Sequence, residues 1–475
     1  MADFHHLRSS LGCPRKLGEL AAMTTGRLLF GDGSSAETVV GGLASDSRAV
    51  RSGDLFCALV GERVDGHCYL KTVVESGAAS VLVSKETENY PLPQLVVDDV
   101  RVAMLMLAAG FRESFPAVEL IGVTGSVGKT TTRDYLAAIL SELAPTLSSA
   151  ANLNTEVGVP LTLARLTAEH RFAVVEMGMQ WAGEITALAK AARPRIGIVT
   201  TVGAAHLEFF DDVAGIARAK AELIAELPQN GLAILPAENE YLNILKESAR
   251  CPVVTFGLAE GDCRATEIEA TSTGSRFTVL WEPPAGVESK ATSFPVELTT
   301  VGQHQPIAAL PAITAALLLG ATPEQVQSGL RQAKLTAGRG EIIHKGELTI
   351  IADAYNANPL SMNAALETLA GLPGERKIAV LGDMLELGET APELHREVGR
   401  KVAELEIDLL LAVGEYKLEL GEGAFVDGMD GVYSAEDTAA ALSFLLKNLR
   451  AGDIVLLKAS NALGLSDLIE KLPEL

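Results

Sequence analysis

The chain has 475 residues, too many for one hydrophobic core, so two to four domains are expected. Hydrophobic residues make up 48% of it, ample for globular packing. A formal charge of −22 argues against nucleic acid as a partner, because a phosphate backbone demands a basic face.

Residues 1–12, MADFHHLRSSLG, contain no apolar h-region. The longest apolar stretch, Ile307 to Gly320, is broken by Pro311 and too short to cross a bilayer. No membrane span and a cytoplasmic location are therefore expected. Cys13, Cys57, Cys68, Cys251 and Cys263 are scattered without a CxxC pair, which supports neither a zinc site nor a disulfide framework.

The runs Asp54–Val60 and Ala79–Ser84 are strand-like and predict a small α/β module over residues 1–95, with a boundary near Tyr90 to Pro93. From Leu120 onward buried strands alternate with amphipathic helices: Leu120–Thr124, Phe172–Glu176, Ile196–Thr200 and Leu232–Leu235. Such alternation predicts a parallel sheet covered by helices. Cys263–Thr300 has Thr-rich alternating runs that predict an antiparallel insertion or edge, followed by a helical segment from Pro306 to about Leu335. The βα rhythm then resumes at Leu348–Ala352, Lys377–Leu381, Leu409–Val413 and Asp453–Leu457, which predicts a Rossmann-like domain. The fold class is α/β with three domains.

The segment Gly125-Ser126-Val127-Gly128-Lys129-Thr130-Thr131 follows a strand and opens a helix with Tyr135, Leu136, Ile139, Leu140 and Leu143 on one face. Glycines let backbone N–H groups curl around phosphate oxygens, and the helix N-terminus adds partial positive charge. Lys129 can reach the β- and γ-phosphates and Thr130 can ligate Mg²⁺. This predicts a nucleoside triphosphate site but not the reaction. Glu176 ends a strand where an open α/β sheet places its ligands and could bind Mg²⁺, although a solvated charge is the plainer reading. His206 reads equally as a cap or core residue, and Lys220 as a solvated helix lysine.

Taken together, Thr124–Thr131, Asn152-Leu-Asn154-Thr155, Glu176-Met-Gly178, His206-Leu-Glu208 and Lys220 resemble the Mur ligases in order and spacing. Those enzymes add amino acids to the nucleotide-linked peptidoglycan precursor. The resemblance covers nearly the whole chain and implies a UDP-precursor-binding domain over 1–95, a central ATP-binding P-loop domain over 96–333, and a C-terminal ligase domain over 334–475. It implies that Lys129 binds phosphate, that Thr130 and Glu176 serve one Mg²⁺, and that His206 and a carbamylated Lys220 serve a second. The carbamate, formed from CO₂, would turn a cation into an anionic oxygen ligand. It also implies nucleotide contacts from His304, Gln305, Arg339 and Asp353.

Asp353-Ala-Tyr355-Asn356-Ala-Asn358-Pro359-Leu-Ser361-Met362 and Gly382-Asp-Met-Leu-Glu386-Leu-Gly388 are similar to the branch that adds D-alanyl-D-alanine to UDP-N-acetylmuramoyl-tripeptide. The implied reaction is ATP-dependent amide ligation through an acyl phosphate. Asn154, Thr155, Tyr355, Asn356 and Asn358 would contact substrate. Ser45, Ser47 and Arg48, with the segment Gly53–His67, resemble the UDP-binding module, where hydroxyls and a guanidinium could bond uracil or diphosphate. Two departures stand out: His304-Gln305-Pro306-Ile307-Ala308 replaces His-Asn-x-x-Asn, and Lys458-Ala459-Ser460-Asn461 replaces Lys-Gly-Ser-Arg. The rival readings are a related ligase with another acceptor, such as a folylpolyglutamate-type enzyme, and a nucleotide-binding partner protein without catalysis. A monomer is expected.

Overall fold

The computed structural model describes residues 7–30, 36–61, 64–271, 274–302, 304–426 and 428–475; Glu62 and Arg63 of the Gly53–His67 segment lie outside them. Among the described residues the strands form three sheets. The first comprises β1 (Arg8–Lys16), β2 (Arg27–Leu29), β3 (Val39–Ala44), β4 (Asp54–Cys57), β5 (Ser80–Val83) and β6 (Gln94–Val96), in the order β1-β3-β4-β5-β6-β2. Its inner four strands run parallel and its two edges antiparallel. The expected strand over Asp54–Val60 ends at Cys57, and Val60 bridges to Asp65 instead. Asp54, fully buried at the start of β4, is held by Arg8 through Nε at 2.7 Å and Nη2 at 2.8 Å, so its charge is paired rather than stranded.

The central sheet comprises β7 (Glu119–Thr124), β8 (Thr146–Ser148), β9 (Phe172–Glu176), β10 (Ile196–Val199), β11 (Leu232–Pro236), β12 (Val253–Gly257), β13 (Cys263–Thr271), β14 (Gly274–Trp281) and β15 (Thr292–Leu298). Strands β8 to β13 and β7 are parallel, in the order β13-β12-β11-β10-β7-β9-β8, and β13-β14-β15 form the antiparallel edge that the Thr-rich alternation predicts. Successive side chains of a strand face opposite layers, so Ile121 and Val123 pack under helices Lys129–Ser141 and Gln305–Leu318, while Leu120 packs under Glu184–Ala192 and Val213–Ala225. Both faces are covered, which is why these strands read as continuous apolar runs.

The third sheet comprises β16 (Glu341–Lys345), β17 (Leu348–Ala352), β18 (Arg376–Gly382), β19 (Leu409–Val413), β20 (Val432–Ala435) and β21 (Asp453–Lys458), in the order β16-β17-β21-β18-β19-β20. Only the β16–β17 hairpin is antiparallel. No helix of the described residues is long and apolar enough to cross a membrane.

Candidate active site

The carboxyl ends of β7, β9, β10 and β17 open onto one cavity of about 1060 Å³. Open α/β sheets bind ligands at this end because the strand-to-helix turns there expose backbone N–H groups and helix N-termini. The turn after β7 is set by Gly125 (φ +149°) and Gly128 (φ +85°), the latter capping the helix Lys129–Ser141. The Ser126 hydroxyl donates to the Gly203 carbonyl at 3.0 Å, Ser126 N–H donates to the Thr201 carbonyl at 2.8 Å, and Lys129 Nζ donates to the Gly125 carbonyl at 2.8 Å. Ser126, Val127, Gly128, Lys129, Thr130 and Thr131 line the cavity.

At the end of β9 the Glu176 carboxylate, 1% exposed, is surrounded by donors. Its Oε2 accepts from Thr130 Oγ1 at 3.0 Å and from Arg133 Nη1 at 3.1 Å, and its Oε1 accepts from Asn154 Nδ2 at 2.8 Å. A solvated charge is the plainer sequence reading of a strand-end carboxylate; burial and the three donors around it rule that out. Thr130 and Glu176 together offer hard oxygen donors of the kind Mg²⁺ takes. Among the described residues, no group of three or more His, Cys, Asp and Glu side chains gathers as a metal cluster.

Lys220, on the helix Val213–Ala225, is 1% exposed and lines the same cavity. Among the described residues no carboxylate pairs with it. Burial first, and Lys129 second, push its pKa well below the usual lysine value.

The opposite wall comes from the segment entering the third sheet and from the turn after β17. Arg339 donates from Nη2 to Thr130 Oγ1 at 3.2 Å and lies 4.1 Å above the Tyr355 ring. Lys458, buried at the end of β21, donates to Asp353 Oδ2 at 2.6 Å and to the Asn356 carbonyl at 3.0 Å. Asn358 proves to be a helix cap: its Oδ1 accepts from Ser361 N–H at 2.9 Å, and Ser361 returns a bond to Asn358 N–H. It also lines the cavity, and the capping bond occupies its Oδ1.

His304, Gln305 and Ala308 also line the cavity. The Gln305 amide is engaged within the protein, accepting from Tyr135 Oη at 3.3 Å and lying 3.1 Å from His304 Nε2. Thr155 accepts from the N–H groups of Val157 and Gly158. Ser45, Ser47 and Arg48 are not brought to this cavity. They occupy the turn after β3, where Ser45 Oγ donates to the Leu7 carbonyl and Arg48 pairs with Asp46.

Family models match the chain in succession: "Mur ligase family, catalytic domain" over residues 39–112, "Mur ligase middle domain" over 123–316, and "Mur ligase, glutamate ligase domain" over 338–461. A UDP-N-acetylmuramoyl-tripeptide–D-alanyl-D-alanine ligase of Escherichia coli is 37% identical, over 94% of this chain and 97% of its own. The chain belongs to the Mur ligase family. Among solved structures, a MurF crystal structure from Acinetobacter baumannii superposes on this Mur ligase with a TM-score of 0.88 at 34% identity, covering 98% of this chain and 99% of that one. MurF of Thermotoga maritima in complex with ADP gives 0.78 at 27% identity, over 90% and 96%.

Two features of this Mur ligase escaped the sequence reading. Glu386, from the third sheet's Gly382–Gly388 turn, contacts His206 Nδ1 and accepts from Gln180 Nε2 at 2.8 Å, joining the third sheet to the turns after β9 and β10. The hydrogen bond from His206 is the main reason its carboxyl lies below the usual glutamate range. His206 itself has φ +63°, a backbone state uncommon for a non-glycine residue.

The Glu386 turn is anchored by His395, fully buried, whose Nε2 accepts from Met384 N–H at 2.9 Å. Its Nδ1 must then carry the proton, which it gives to the Ala391 carbonyl at 2.6 Å. Burial lowers the His395 pKa below its ordinary 6.5. Between the lowered folded value and 6.5 the unfolded chain binds more protons, so stability rises with pH there and falls on acidification. The denaturant midpoint is expected to drop from about pH 7 to about pH 5, and His395→Gln to flatten that dependence. An unchanged slope in the variant would show that other groups govern it.

Proposed function

We propose that this Mur ligase joins D-alanyl-D-alanine to UDP-N-acetylmuramoyl-tripeptide in peptidoglycan precursor synthesis, coupling the amide bond to ATP cleavage in the cytoplasm. The observation that carries this reading is the meeting in one cavity of the P-loop, the buried Glu176 and Lys220, and the Asp353–Asn358 turn of the third sheet. The identity to ligases of that name over nearly the whole chain supports the choice of acceptor.

In this reaction the tripeptide's terminal carboxylate attacks the γ-phosphorus of ATP, the bond to the bridging oxygen breaks, and ADP leaves. The amine of D-alanyl-D-alanine then attacks the acyl phosphate carbonyl, loses a proton, and expels phosphate. Backbone N–H groups of Val127–Thr131 hold phosphate oxygens, while Lys129 and Arg339 place positive charge beside the transferring group. Mg²⁺, which the oxygens of Thr130 and Glu176 suit at one position and His206 with carbamylated Lys220 at a second, supplies further positive charge when bound. A neutral Lys220 amine is the form that adds to CO₂: the N–C bond forms, one C=O π pair moves onto oxygen, a proton leaves the nitrogen, and the amine becomes an anionic oxygen ligand. Asp353 serves the ribose, and His304 and Gln305 border the adenine. Asn154, Thr155, Tyr355, Asn356 and Asn358 face the peptide, with Asn358 also capping the helix Pro359–Gly371 that follows the turn.

The Ser45–Arg48 turn, lying apart from the cavity, fits the far nucleotide end of so long a substrate. Limits near residues 95 and 333 separate the three domains, and the chain works as a monomer. Phosphate release is expected to need ATP, Mg²⁺, the UDP-tripeptide and D-alanyl-D-alanine together. Turnover with glutamate or L-amino acids but not D-alanyl-D-alanine would overturn the acceptor, and ATP binding without turnover on any acceptor would favour a non-catalytic role.

A further inference from the structure

Arg133 lies one turn into the helix that follows the P-loop, with its side chain 2% exposed. A guanidinium has five N–H donors, and here five bonds are made. Nε and Nη2 donate to Asp134 Oδ1 at 2.9 and 2.6 Å, Nη1 donates to the Ala151 carbonyl at 2.6 Å and to Glu176 Oε2 at 3.1 Å, and Nη2 also donates to Thr336 Oγ1 at 2.8 Å. Asp134 completes the ring: its Oδ2 accepts from Thr336 N–H at 2.8 Å and from Thr336 Oγ1 at 2.9 Å. Three residues beyond Thr336 stands Arg339, which donates to Thr130, and Thr130 donates back to Glu176.

Burying a guanidinium and two carboxylates in one place is costly unless every group is satisfied in one geometry. The geometry therefore fixes two things at once: the orientation of Glu176, and the seat of the segment that carries Arg339 from the central sheet toward β16. We propose that Arg133, Asp134 and Thr336 are positioning residues for phosphoryl transfer, registering Arg339 against Thr130 and Glu176 so that the third sheet delivers its cation to the P-loop in one arrangement. The inference rests on the ATP-dependent ligase reading and adds to it a link between the nucleotide pocket and the interdomain segment.

Thr336→Val tests this with little change of shape, removing one donor and one acceptor. Displacing a charge-stabilising group by a fraction of an ångström to an ångström reduces turnover by about 10- to 100-fold. Thr336→Val is therefore expected to lower kcat by about 10-fold while leaving the KM for ATP and the Kd for ADP within about 3-fold. Arg339→Lys should lower kcat as well, and the double variant should fall little below the worse single one, because both remove the same placement. Arg133→Lys keeps the charge but offers three donors in place of five, and should show the same kcat-selective loss. Unchanged kcat in folded Thr336→Val protein, or multiplicative losses in the double variant, would overturn the proposal. A loss of melting temperature with normal kcat per folded molecule would show a purely structural latch. Absence of any ligase turnover in the wild type would instead strike the function reading, whereas ADP affinity still reports on the pocket.

Discussion

Lys220→Ala is expected to lower ligation by about 1000-fold, the order seen when a group that stabilises transition-state charge is lost. The argument starts from burial. A lysine 1% exposed and without an acidic partner among the described residues is a poor choice for stability, since its charged form is strongly disfavoured. On the proposed reading its value lies in taking up CO₂ as an amine and becoming an oxygen ligand. The alanine variant should therefore fold, with a melting temperature close to that of the wild type, and bind ADP through the intact P-loop. Acetate at high concentration should restore part of the activity by supplying oxygens to the space left by the side chain. Phosphate release measured with and without acetate checks this. Full activity in the variant would remove Lys220 from the reaction.

Gly125→Ala is expected to lower kcat/KM for ATP by about 100-fold or more, because displacement of the P-loop by about 1 Å misplaces every phosphate contact. A Cβ at this position would lie 1.9 Å from Thr200 Oγ1, and φ +149° is a state L side chains rarely adopt. Thr200 cannot easily yield, since its hydroxyl donates to the Val127 carbonyl at 2.5 Å and its N–H to the Thr124 carbonyl at 2.9 Å. The backbone strain alone costs about 1–3 kcal/mol. Gly320→Ala separates the two effects: Gly320 has φ +91°, and a Cβ there would meet nothing within 4 Å. That control should lose stability and retain ATP kinetics. Equal ATP kinetics in Gly125→Ala and wild type would mean that the loop tolerates a different path.

The parts legible in the sequence were those whose signal is local. Strands β7, β9, β10 and β11 were visible because burial on both faces makes them uninterrupted apolar runs. The P-loop was visible because its glycines and Gly-Lys-Thr are contiguous. Strands β2, β6 and β8, three residues each, carry too little periodicity to detect. In β1 the register shifts between Ser10 and Arg15, which breaks the alternation. Arg133 and Asp134 look like ordinary polar helix residues until Thr336, 203 positions away from Arg133, is placed against them. Glu386 sat inside a recognised motif, but its partner His206 lies 180 residues earlier, and nothing local marks such a contact. Asn358 carries two signals at once, because the motif that points to substrate also spells a capping box with Ser361.

The Asp353–Asn358 turn is braced from within its own sheet, by the buried ammonium of Lys458 on the Asp353 carboxylate and the Asn356 carbonyl. Arg339, over the Tyr355 ring, adds a tie from that turn to Thr130 of the P-loop wall. Turn and brace form one unit that an exchange between relatives would have to move together. Exchanging the turn for one without a carboxylate at position 353 would leave the buried Lys458 ammonium without its charge partner, so recombination at this wall has a natural unit of two distant segments rather than one.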